Sequence, residues 1–380
     1  MSRPRGRAVA WLRRHRLPLI ALTAAIATGA GLMAASPWRG SGPAPPAVES
    51  ALTSVIDAGA PGLVAQVWGG RSWAEAKGLA NLDQQAPMRP GDRFRIASLT
   101  KTYVAAIMLQ LVAEGRLGLD DPVARYLPGL LRDGAQITVR ELLNHTSGLA
   151  DSGELRAVKR ARDTGSVPVR KQVRLVNAEH RSFAPGARWK YSNTDYLVAG
   201  LLIERLTGHD LGQVLTSRLF GPLRLTATTF EPQPGIPAGI AHSYRPGWGV
   251  PAVDVTESVG GGAWASGAIV STARDVARFY TALLSGRVVP ARLLTQMRST
   301  TRSPGYADGY GLGLARFDLP CGPAWGLQGN LFSYVAIAEA APGGHHGAVV
   351  LVNGYTGMPG SLGRVFTAMK HAADIAYCHS

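Results

Sequence analysis

The sequence predicts an α+β fold, and three observations carry the prediction. Strand-like apolar runs gather near both ends of the chain. Segments with helical spacing fill the stretch between them. The chain has 380 residues, 46% hydrophobic and 17% charged, which suffices for a large core in one large domain or two intimate ones. Together these imply a sheet layer assembled from both ends, with a helical insertion between.

Taken in order, six arginines precede position 17, an apolar run follows from Leu17 to Ala35, and the chain then turns small and polar at Ser36-Pro37. That order reads as a signal peptide over residues 1–36. The run is about 19 residues, close to the lower limit for crossing a bilayer, so an uncleaved anchor is the alternative. Residues 37–48, rich in Pro, Gly and Ser, read as a linker. The globular domain then covers 49–380, with 49–95 and 305–380 supplying the sheet and 100–270 mostly helical. Gly62 to Trp68 is a strand, followed by Gly69-Gly70 and a second strand, which makes a hairpin. Over 98–114, Ala105, Met108, Leu109 and Val112 fall on one helical face. Leu142-Leu143, Leu197 to Leu206, Leu211 to Leu219 and Ala273 to Leu284 are further helical segments. Thr272 is set to cap the last of these, with Asp275 three residues on as in a capping box. Gly311 to Phe317, Phe332 to Ala340 and Gly347 to Val352 read as strands, and Leu362 to Tyr377 as a final helix.

The formal net charge is +15, of which seven arginines in residues 1–40 supply a large part, leaving +8. Such an excess suits work beside an anionic envelope. It lacks the basic stripe with interleaved aromatics that nucleic-acid binding needs. No P-loop, dinucleotide fingerprint or H-E-x-x-H motif occurs, so no cofactor or metal is expected. His345-His346 lacks partners at ligand spacing and reads as a solvated turn. Of the two cysteines, Cys321 and Cys378, an oxidising compartment favours a disulfide; two free buried thiols are the alternative.

Chemistry enters with Ser98-Leu99-Thr100-Lys101. A serine and a lysine three apart share one helix face. The amine can take the serine proton if its surroundings lower its pKa. At a helix start the Ser98 N–H is free to bind an oxyanion. Tyr191-Ser192-Asn193, on a loop after Pro185-Gly186, can point two polar groups into one cleft. The phenol can relay a proton if a nearby cation depresses its pKa, and the amide can orient the lysine and the substrate carbonyl. His145, in Asn144-His145-Thr146-Ser147-Gly148, reads as part of a helix end closed by Gly148 rather than as a catalytic group.

These segments, in this order, resemble the serine penicillin-recognising enzymes, within them the actinomycete secreted D-alanyl-D-alanine carboxypeptidases, with class C β-lactamases and related esterases further off. Leu119-Asp120, Tyr126 to Leu130, His145 to Leu149, Phe220 to Leu223, Tyr310 to Leu314 and Asp318 to Cys321 extend the likeness from about residue 50 to Cys378. The resemblance implies a β-lactamase/transpeptidase-like fold, an antiparallel sheet beside an all-helical region with the site at their junction. It implies that Ser98 forms an acyl-enzyme, that Lys101 and Tyr191 move the proton and that Asn193 orients the substrate. It also implies a Cys321–Cys378 disulfide.

Two departures stand out. The family's third motif places His or Lys, a small polar residue and Gly beside the serine; here Gly326-Leu327-Gln328-Gly329 sets Leu327 in the basic place, and the next register, Ala324-Trp325-Gly326, supplies no cation either. An arginine that would grip a substrate carboxylate is replaced by Ala315, with Arg316 one residue off and so on the opposite strand face. Losing two such contacts, each ~1.5–3 kcal/mol, weakens carboxylate recognition ~100-fold or more. The expected substrate-binding set is Trp325, Gln328, Gly329 and Asn330 with Arg316, the Asn330 N–H joining that of Ser98 at the oxyanion. The chain thus reads as an exported, monomeric serine hydrolase, secreted or held at the cell envelope. Its acyl donor is a D-alanyl peptide, a β-lactam or an ester. The alternative is a descendant that binds cell-wall peptide without turnover.

Overall fold

The computed structural model describes residues 42–163, 167–179, 181–247, 252–258, 263–357 and 360–380. The signal or anchor over 1–36 and the first residues of the linker lie outside them. Among the described residues no helix is long and apolar enough to cross a membrane.

One sheet dominates. Its strands are β1 (Gly62–Trp68), β2 (Trp73–Asn81), β3 (Ala86–Pro87), β4 (Thr301–Ser303), β5 (Ala307–Tyr310), β6 (Ala315–Leu319), β7 (Gly322–Leu331), β8 (Tyr334–Ala340) and β9 (Gly347–Val352). They run β3-β2-β1-β9-β8-β7-β6-β5-β4, each antiparallel to its neighbours. The two ends of the chain meet at β1 and β9, where Leu63 faces Val352 and Trp68 faces Gly347. β1, β8 and β9 are buried at every position. Strands covered on both faces need no polar alternation, which is why they read as continuous apolar runs. The helices Pro46–Asp57 and Ser361–Cys378 pack together and against the sheet, and Ala273–Leu284 packs on β1, β8 and β9. A disulfide joins Cys321 to Cys378, with Cα atoms 5.6 Å apart, tying the start of β7 to the last helix.

Several elements differ from the sequence reading. The stretch read as a linker is partly helical, because the first helix begins at Pro46, where a proline costs nothing in an unpaired first turn. The helix Thr100–Ala113 is buried from Thr100 to Leu109 and not on one face, since it runs through the centre of the molecule. The helix from Leu211 loosens after Leu215 into a π turn over Thr216–Phe220. The strand expected from Gly311 begins at Ala315, because Gly313, at φ +71°, turns the chain first. β7 was not read as a strand from its own residues; only the family's third motif and the assignment of 305–380 to the sheet placed one there. Thr272 does cap its helix, accepting from the Asp275 N–H at 3.2 Å, but the box is not closed: Asp275 accepts instead from the Ala227 N–H and the Thr228 hydroxyl.

Candidate active site

Ser98 sits in a 3-10 turn, Ala97–Leu99, that leads directly into the helix Thr100–Ala113. Ala97 before it is buried at φ +51°, a backbone that an alanine adopts only when its surroundings impose it. Strand β7 runs past this turn. A Cβ on Gly329 would lie 2.7 Å from the Ser98 nitrogen, so only glycine lets the strand approach so closely. That places Gly329 and Asn330 beside the serine N–H, which lies in a first turn where amides lack helical partners.

Lys101, one turn on, is fully buried. Its Nζ lies 3.1 Å from Ser98 Oγ and 2.8 Å from both Asn193 Oδ1 and the Ser266 carbonyl. Burial lowers its pKa to about 7, against the pull of the Asp151 and Asp195 carboxylates. Tyr191 donates its hydroxyl to Ser98 Oγ at 2.7 Å. Burial pushes this phenol up, helped by the Asp151 and Asp195 carboxylates and opposed by the hydrogen bond to Ser98, so the depression expected from a nearby cation does not occur, although the Lys101 amine lies 4.8 Å from the ring centre. Asn193 opens the helix Asn193–Thr207, and both its backbone N–H and its Nδ2 donate to Asp151 Oδ1 at 3.0 Å. The amide is therefore fixed with its oxygen toward Lys101.

A buried cluster supports this loop. His145, at φ +63°, shares a hydrogen bond of 2.8 Å with Asp195, and Ser147 donates to the other Asp195 oxygen. The His145 ring lies 4.4 Å from that of Tyr191. The structural reading of His145 is thus kept in kind but changed in detail. The helix Val139–Leu143 ends earlier than read, and His145 itself takes the left-handed turn ahead of Gly148.

Ser98, Tyr191, Asn193, Gln328, Gly329 and Asn330 all line one cleft of about 780 Å³. Trp325 and Arg316 do not join them. Trp325 is packed in the core, and Arg316 is held at 2.8 Å by Asp318 on the outside of the sheet. Leu327 is wholly buried. Sequence reasoning missed Asp151, the Ser266 carbonyl and Tyr306. Tyr306 stacks on Tyr191 at 5.4 Å and donates to the Gln328 carbonyl at 3.1 Å. A carbonyl leaves no trace in a sequence. Asp151 and Tyr306 sat in turns, where such residues are ordinary, although Tyr306 does follow a Pro-Gly pair. Among the described residues no group of three or more His, Cys, Asp or Glu could hold a metal.

A serine on a helix start, a buried amine and a phenol on its oxygen, beside the edge of a sheet strand, define a serine hydrolase of the penicillin-recognising class. The sequence profile of the Beta-lactamase family matches residues 44–368. The chain belongs to that family. A D-stereospecific amidohydrolase from a Streptomyces species superposes with a TM-score of 0.77 at 36% identity, over 86% of this chain and 98% of that one. Penicillin-binding protein 4 of Amycolatopsis lactamdurans is 30% identical over 285 residues, 69% of this chain and 72% of the relative. Esterase EstB of Burkholderia gladioli is 36% identical over 164 residues, 40% of this chain. The match spans 42% of that esterase, and other curated relatives, such as penicillin-binding protein 4* of Bacillus subtilis at 33%, are likewise covered over less than half their length.

Proposed function

We propose that this chain is an exported serine hydrolase that acts through an acyl-enzyme on Ser98, with a neutral ester or amide as acyl donor. The observation that carries the reading is the hydrogen-bond inventory of Lys101. A neutral amine has two hydrogens and one lone pair. Asn193 Oδ1 and the Ser266 carbonyl take the two hydrogens, which leaves the lone pair for the third neighbour, the Ser98 hydroxyl. A pKa near 7 makes that neutral form available at physiological pH. Ser98 then gives its proton to Lys101 as its oxygen attacks the carbonyl carbon. The oxyanion is met by the N–H groups of Ser98 and Asn330. Tyr191, kept protonated by burial, supplies a proton to the leaving group, and the proton that Lys101 took from Ser98 restores the phenol. Water releases the acyl group by the reverse path.

A neutral donor follows from the lining. Lys159 is the one charged side chain among its described residues, and it lies at the exposed rim. With Leu327 and Ala315 in place of two cations, a terminal carboxylate has little to hold it. Export is supported by the arginine-led apolar N-terminus and by the disulfide. The loss of the third-motif cation also favours a second reading, a protein that binds acyl donors without turnover. Incubation with a fluorescent penicillin and with p-nitrophenyl acetate, followed by intact mass, separates the two. An adduct or turnover that disappears in Ser98→Ala supports the hydrolase. Neither, in folded protein, supports the binder.

A further inference from the structure

We propose that Phe332, with Leu331 and Phe366, forms an apolar wall of the cleft that selects acyl donors carrying a bulky apolar group, an aromatic ring or a medium-length alkyl chain. The inference rests on the acyl-enzyme reading and names its substrate class. Leu331 pairs directly with Tyr334, so only Phe332 and Ser333 connect β7 to β8. In a two-residue hairpin a first central position at positive φ is normally glycine, asparagine or aspartate. Here a phenylalanine holds it, at φ +58°. Its side chain is also 54% exposed, one of three large exposed hydrophobic residues among those described. The position therefore disfavours this residue twice, once through the backbone and once through water. A local rule broken in two ways beside a reactive group points to use at that site.

The location agrees. Phe332 follows Gly329 by three residues and lines the same cavity as Ser98. Phe366, from the last helix, and Leu331 line it too, and both also pack against the core, so the lining that carries the exposed ring also carries two fixed apolar side chains. A substrate group laid there covers the Phe332 ring and loses its own contact with water. Such burial, partial on both sides, is worth ~10-fold in affinity.

The test compares kcat/KM for p-nitrophenyl acetate, butyrate and octanoate in the wild type and in Phe332→Gly. Glycine suits the turn, so the expected variant unfolds at the same temperature or higher. Phe332→Asn, which also tolerates that backbone, serves if the glycine loosens the hairpin. The wild type should favour octanoate over acetate ~10-fold or more, and the variant should reduce that ratio ~10-fold. A wild-type ratio near one, or a ratio the variant leaves unchanged, overturns the proposal. Binding of octanamide and acetamide to Ser98→Ala, with and without Phe332→Gly, is measured by calorimetry alongside. A preference for octanamide that vanishes with Phe332 supports the wall even where no ester is turned over, a result that would count against the acyl-enzyme alone. Equal binding of the two amides overturns the wall whatever the turnover.

Discussion

Lys101 is held by two acceptors that do not move with the reaction, a side-chain amide locked by Asp151 and a backbone carbonyl. Its Ser98 contact is the only one of the three that chemistry can change. Lys101→Met is accordingly expected to lower kcat/KM by ~10³-fold or more, the scale of a lost nucleophile–base pair. The same variant carries a stability signature. The amine falls from 10.5 to about 7 on folding. Between those values the folded protein binds fewer protons at this group than the unfolded chain, so its contribution makes stability rise with pH across that window. Thermal melts from pH 7 to 10 should show this rise flattened in Lys101→Met. Tyr191→Phe removes the proton donor while leaving the base, and is expected to cost ~10²-fold in kcat with the limb near pH 7 retained. The Ser-x-x-Lys and Tyr-x-Asn residues were legible because each chemistry demands particular side chains at fixed spacing. Asp151 and Ser266 were not, because one acts through an amide and the other through its backbone.

At the scale of elements, β7 does most to complete the site and was least visible. Gly322-Pro323-Ala324-Trp325-Gly326-Leu327-Gln328-Gly329 has three glycines and a proline, features that argue against a strand interior. Pairing with β6 and β8 on either side holds it in place despite its composition. Position along the strand then separates its residues, since Trp325 and Gly329 are four apart and lie on one face. Gly329 faces Ser98, while Trp325, read as a substrate contact, is drawn into the core. Gly329→Ala would push the strand from the Ser98 amide and is expected to reduce kcat ~10²-fold, the scale of one lost oxyanion donor, with binding of substrate less affected. Single-turnover rates with p-nitrophenyl acetate measure it; an unchanged rate would mean that the strand edge takes no part. The first helix was hidden for a different reason: Pro43, Pro45 and Pro46 look like linker, and only the apolar spacing of Val48, Leu52 and Val55, all buried, betrays it.

For the whole molecule, the sheet closes where the first and last thirds of the chain meet, at β1 and β9, and the disulfide ties the start of β7 to the last helix. Its two cysteines are 57 residues apart, so in the chain-entropy model it contributes ~4 kcal/mol. Cys321→Ser with Cys378→Ser is expected to lower the unfolding temperature by ~2–4 °C per kcal/mol lost, and a reductant should have the same effect on the wild type and none on the variant. The overall architecture was legible from the alternation of strand-rich ends and a helical middle. Which residues turn toward the cleft was not, because that depends on strand register, and one residue of slip exchanges the two faces.

In this mechanism a neutral Lys101 takes the Ser98 proton. The pH dependence of Ser98 acylation, measured by quenched-flow intact mass with p-nitrophenyl acetate from pH 5.5 to 9, tests it most directly. Acylation is expected to rise through a midpoint near 7, the value burial gives Lys101, and to lose that limb in Lys101→Met. A rate that stays flat across this range, or a limb that survives without the lysine, would contradict it.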